Sequence, residues 1–113
     1  MKTVINNNEV ALVPISGSEG CFAQVLMNAA NWNEISLHHV LINPNCTITN
    51  HTHEKQTEAH YIISGLGNAI LGEQSIPIHK GDIVIAYPFV PHEIQNNGSE
   101  PLELLCIFNP PLE

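Results

Sequence analysis

Turn residues punctuate this chain so closely that no long amphipathic helix fits between them. Eight prolines and seven glycines are spread over 113 residues, and the apolar runs they separate are short. Residues 9–15, 21–27, 35–43 and 46–50 read as strands, and residues 28–34 as an irregular connection. Further strands are expected over 58–63, 68–71, 76–79, 83–87, 92–96 and 102–108, with Pro77 marking an edge or irregular position. Many short strands with turn signals between them indicate an all-β sandwich or barrel. The length fits one domain spanning 1–113.

Within this pattern, residues 51–65 carry the densest chemistry. His51 and His53 lie two apart, and alternate side chains of a strand project to one face. Both imidazoles are thereby able to meet one ion. Residues 54–57 read as a turn, and Glu58 opens the returning strand as an oxygen ligand for the same ion. The same alternation puts Thr47, Thr49, His51 and His53 on one face. Taken alone, the histidine pair fits an ordinary solvated strand face better than a metal site, since so short a motif recurs by chance.

Composition removes several function classes. The formal charge is −8 and the chain has no arginine, its basic side chains being Lys2, Lys55 and Lys80. Binding to nucleic acid requires cations against phosphate, and an anionic membrane surface asks the same. Neither is expected as a partner. Bidentate capture of carboxylate or phosphate usually falls to arginine, so a small-molecule ligand here is neutral or held through a metal, a lysine or backbone amides. Cys21, Cys46 and Cys106 are odd in number and far apart, which argues against a secreted disulfide framework. Residues 1–8 are too polar for a signal peptide, and a cytoplasmic protein with reduced thiols is expected.

Two segments together resemble the cupin family. His51, His53, Glu58 and Gly65 match its first motif, with Asn45 where that motif opens on glycine. Residues 81–96 match the second, with Gly81, Pro88, His92 and Asn96 in place and Phe89 where the family usually has glycine. The resemblance implies a double-stranded β-helix, or jelly-roll barrel. It also implies that His51, His53, Glu58 and His92 hold one divalent metal, with Fe, Mn, Ni, Co and Zn all compatible with three imidazoles and a carboxylate.

The function this implies is a metal-dependent enzyme acting on a small oxygenated substrate by dioxygenase-type or isomerase/lyase chemistry. The alternative is a non-catalytic sugar- or metabolite-binding sensor with a structural metal. His60, two residues beyond Glu58, falls on the ligand side. It reads either as a substrate-facing general base or as a packed, hydrogen-bonded histidine. Strand parity lets His38 or His39 reach the cavity. Trp32, Tyr87 and Phe89 are candidates for its mouth or for ordinary packing. Glu54, Glu93 and Glu103 read as exposed charges, His79 as solvated, and Asn96 as structural. Family members commonly pair, so a homodimer is expected, with the apolar strand at 10–13 as its seam.

Overall fold

The computed structural model describes residues 2–113. Ten strands form two antiparallel sheets. The larger runs β1 (Val13–Pro14), β2 (Cys21–Met27), β3 (Ser36–Ile42), β10 (Leu102–Asn109), β5 (Thr57–Ser64), β8 (Ile83–Ala86) in spatial order. The smaller runs β4 (Thr47–His51), β9 (His92–Gln95), β6 (Leu66–Leu71), β7 (Gln74–His79). Pro77 lies on the edge strand β7, where its missing N–H leaves no inner ladder bond unmade. No helix among the described residues is long and apolar enough to cross a membrane. All three cysteines are free thiols.

Period-two alternation sets the core. Along β3, Ser36, His38, Val40 and Ile42 are buried while their neighbours are half-buried. Along β10, Leu102, Leu104, Cys106 and Phe108 turn inward. Ile42, Ile62, Ile94, Leu102 and Leu104 form a fully buried aliphatic centre. The inward residues stand in register: Cys106 lies opposite His38 on one side and His60 on the other, and His60 lies opposite Val84. Phe108 likewise stands between Ser36 and Glu58. One end of the inner face is thus aliphatic and the other carries the ionisable groups.

Two local features depart from the sequence expectations. The expected strand over 9–15 shrinks to Val13–Pro14, because Asn7–Glu9 forms a 3-10 turn. The Asn6 side chain caps that turn by accepting from the Asn8 N–H at 2.9 Å. Of the expected shared face, Thr49, His51 and His53 line one inner cavity, whereas a bulge sets Thr47 apart. Ile48 pairs with Ile94 and His51 with His92, so three steps on β4 oppose two on β9. Cross-strand partners face the same way, so Ile48 and His51 both point inward although they lie an odd number of residues apart. Thr47 and His51 therefore do not share a face.

Asn45 and Phe89, which occupy the two expected glycine positions, are the non-glycine residues with positive φ among the described residues, at 62° and 67°. The backbone keeps the left-handed turns without the residue that adopts them freely. Asparagine tolerates this well, whereas a bulky side chain resists it. Gly67 is constrained differently: a Cβ there would come within 2.2 Å of the Gln95 carbonyl oxygen on β9.

These two sites should respond oppositely in urea unfolding. Gly67→Ala is expected to cost about 2–3 kcal/mol, since backbone must shift. Phe89→Gly is expected to stay within about 1 kcal/mol of wild type, because relief of the left-handed strain offsets the added chain entropy. A Phe89 variant losing as much as the Gly67 variant would contradict the assignment of strain to this turn.

Candidate metal centre

Two sheets contribute to one constellation. His51 and His92 face each other across β4 and β9 in the smaller sheet. Glu58 comes from β5 in the larger sheet, and His53 from the loop that follows β4. One ligand atom from each of His51, His53, Glu58 and His92 lies within 4.8 Å of the others. The Phe89 N–H donates to the His53 carbonyl at 2.8 Å, which ties the His53 loop to the left-handed turn before β9.

The hydrogen bonds fix how the imidazoles are presented. His51 Nδ1 lies 2.8 Å from the Thr49 carbonyl, and His92 Nδ1 lies 3.0 Å from the Val90 carbonyl. A carbonyl only accepts, so each Nδ1 carries the proton and each Nε2 is left to face the centre. There, His53 Nε2 and His92 Nε2 both stand 3.2 Å from Glu58 Oε1. His53 donates to Glu58 from Nε2 even as a neutral ring, but a neutral His92 with its proton at Nδ1 meets the carboxylate oxygen acceptor to acceptor, so that contact is satisfied only by a positive charge shared between them. A proton or a metal ion supplies it. Three imidazole nitrogens and one carboxylate oxygen suit divalent Fe, Mn, Ni, Co or Zn, so the residues fit the metal.

Electrostatics agree with that reading. Burial alone would raise the Glu58 pKa, but hydrogen bonds from His53, His60 and His92 outweigh it and hold the carboxyl far below its ordinary range. Burial likewise opposes charge on His92, yet its bonds to Glu58 and the Val90 carbonyl and the Glu58 charge raise its pKa. His51 moves down, chiefly through burial, which the bond to Thr49 only partly counters.

His60 is buried at 2% exposure behind Glu58. Its Nε2 is 2.9 Å from Glu58 Oε2, and its Nδ1 is 3.2 Å from the Val84 carbonyl. Both partners accept, so His60 steadies the carboxylate from the side away from His53 and His92. Cys106 completes a second buried group with Glu58 and His60, and burial followed by the Glu58 charge raises its thiol pKa well above the ordinary value. Cys106 was not singled out from the sequence, although the alternation along 102–108 points it inward.

A cavity of about 560 Å³ opens onto this centre, within the range of small-molecule sites. Its walls are largely apolar, and none of Lys2, Lys55 or Lys80 lines it. His38 faces the cavity. His39 faces the opposite side of the sheet, 2.7 Å from Gln24 Oε1 and paired with Glu103. Glu103 is therefore not the free surface charge expected, since it also accepts from Ser64 Oγ at 3.2 Å. Trp32, Tyr87 and Phe89 are exposed and do not line the cavity. Ser18, Leu112 and Glu113 do line it. No motif marked them, because chain segments distant in sequence bring them there. Asn96 is structural: its amide donates to the Ile42 and Glu100 carbonyls at 2.9 Å each. His79 is exposed and pairs with Asp82.

His92→Ala is expected to lower metal affinity by more than about a hundred-fold, read by elemental analysis after dialysis. In the wild type, the ion competes with a proton at His92, whose pKa is raised above 6.5. Affinity should therefore be full well above that value and fall as pH drops through it. Affinity that holds constant on acidification to pH 6.5 and below would contradict the role of His92.

The geometry has counterparts. Residues 38–108 match the family described as the Cupin domain. An uncharacterized protein of Methanocaldococcus jannaschii is 38% identical over 61 residues, or 54% of this chain. The match spans 49% of that relative's length. Among solved structures, a predicted oxalate decarboxylase of Thermotoga maritima superposes with a TM-score of 0.87 at 26% identity, covering 95% of this chain and 98% of that one. The polyketide cyclase RemF of Streptomyces resistomycificus superposes at 0.86 with 15% identity, covering 96% and 80% of the two chains, a likeness of fold alone. With its double-stranded β-helix and two matching motifs, this chain belongs to the cupin family.

Proposed function

We propose that this protein is a metal-dependent enzyme acting on a small oxygenated molecule, by dioxygenase-type or isomerase/lyase chemistry. The observation that supports it most is the convergence of His51, His53, Glu58 and His92, the first three lining a cavity large enough for a small molecule. The solved neighbours include a predicted oxalate decarboxylase and a polyketide cyclase, both named for chemistry on oxygenated carbon skeletons.

When bound, a divalent ion at these ligands supplies Lewis-acid chemistry to a ligand oxygen or, with iron or manganese, redox chemistry. The chain's own residues do the rest. The apolar walls exclude water and hold the carbon skeleton. The carbonyls of Thr49 and Val90 keep His51 and His92 in one tautomer and orientation. His60 lines the cavity and is the catalytic residue of this reading, holding a movable proton at Nε2 against Glu58 Oε2.

One observation favours the second reading, a sugar- or metabolite-binding sensor with a structural zinc. Both ring nitrogens of His60 are already engaged, so the cavity carries little polar machinery besides the metal ligands. We also assign the protein to the cytoplasm, which its unpaired cysteines support. We assign it a homodimeric state, which the exposed Leu12 and Val13 in and just before edge strand β1 support. Light scattering at the monomer mass would overturn the last assignment.

Elemental analysis of protein purified without chelator separates the two main readings. About one equivalent of iron, manganese, nickel or cobalt, together with turnover in oxygen-uptake or isomerase screens, is the outcome expected for the enzyme. His60→Gln should then lower kcat by about a hundred-fold while metal content holds. Tightly held zinc with no turnover would instead establish the binding role.

A further inference from the structure

One polar group on the inner face is used neither by the fold nor by the metal ligands. His38 sits on β3 opposite Cys106 and lines the cavity. Its side chain is 9% exposed. Its Nε2 is fully buried and makes no hydrogen bond. Native proteins seldom leave such an atom without a partner, and a ligand site is one of the reasons they do. The nearest charge is Glu113 Oε1 at 3.5 Å, on a carboxylate that is 57% exposed.

The position of this nitrogen relative to the metal centre is set by Phe108. The rings of His38 and Phe108 are 4.9 Å apart, and those of Phe108 and His53 are 5.6 Å apart. His38 and the metal ligand His53 therefore flank one phenyl ring on one cavity wall. Val25 and Val40 add apolar surface beside it. A molecule lying along this wall touches carbon in its middle and polar groups at both ends.

We propose that His38 Nε2 is a second anchor of the cavity, hydrogen-bonding a neutral oxygen of a ligand whose other end meets the metal centre. This rests on the metal-centre reading above and adds the ligand class. That class is a short molecule with a metal-binding oxygen at one end, an apolar middle, and a hydroxyl or carbonyl at the far end. A far-end carboxylate is disfavoured, because Glu113 stands beside His38 and no lysine lines the cavity to offset it. Leu112 N–H donates to Ser36 Oγ, and Ala29 N–H to the Glu113 carbonyl, at 2.9 Å each. These bonds hold the cover over His38, so the ligand oxygen enters by displacing the largely exposed Glu113 side chain.

The test uses cobalt-loaded protein and three hydroxamic acids with equal chains of about five carbons, ending in methyl, hydroxyl or carboxylate. Binding is read from the cobalt visible bands. Wild type should prefer the hydroxyl-ended chelator over the methyl-ended one by about five-fold, and bind the carboxylate-ended one most weakly. His38→Leu should erase the hydroxyl preference while cobalt content and methyl-ended affinity hold. His38→Gln, which returns an amide donor, should restore part of it. A preference that survives in His38→Leu, or is missing from cobalt-loaded wild type, overturns this inference alone. Wild-type protein that takes up no cobalt overturns the metal-centre reading and this inference together.

Discussion

A buried carboxylate organises this molecule. Glu58 lies almost out of reach of water, where an isolated negative charge is strongly disfavoured. It stays charged because imidazoles from three positions close around its two oxygens. Each of those imidazoles must be delivered by a different piece of chain: the loop after β4, the start of β9, and β5 itself. The order of the strands, the register of β5 against β8 and β10, and the turn at Phe89 can all be understood as conditions on that delivery. Removing Glu58 would leave the histidines facing one another with no anion among them.

The same carboxylate couples the two sheets. Aliphatic packing fills one end of the sandwich with Ile42, Ile62, Ile94, Leu102 and Leu104. At the other end, polar contacts between Glu58 on the larger sheet and His92 on the smaller one take over. Hydrophobic burial is tolerant of small shifts, whereas a shared charge is not. The molecule thus has a compliant half that supplies stability and an exacting half that supplies chemistry.

Much of this was legible in the sequence. The strand at 21–27 was bounded to the residue, since glycine precedes it and the asparagine-rich connection follows. The all-β class followed from short apolar runs between turn residues. His51, His53 and Glu58 were readable as a group from spacing, and His92 from its motif. The bulge was not legible. Nothing in Thr49 or Asn50 marks an extra residue, because a bulge is defined by the partner strand, which lies some forty residues away. Parity could place one of His38 and His39 inside but could not say which, since both registers of β3 offer an apolar face. The cavity-lining Ser18 and Leu112 were hidden for a related reason, as only tertiary packing brings them near the histidines.

The bulge has a consequence for how this protein can vary. Deleting Thr49 or Asn50 would restore regular pairing and leave His51 two steps from Ile48, still opposite His92 and still on the inner face. What would go is the extra twist and bend that an unpaired residue gives a strand. Thr49 is the costlier loss, since its hydroxyl meets Ser18 Oγ and its side chain lines the cavity. The surplus residue therefore governs the aim of the His51 ring and not its side of the sheet, a fine adjustment laid over a coarse one.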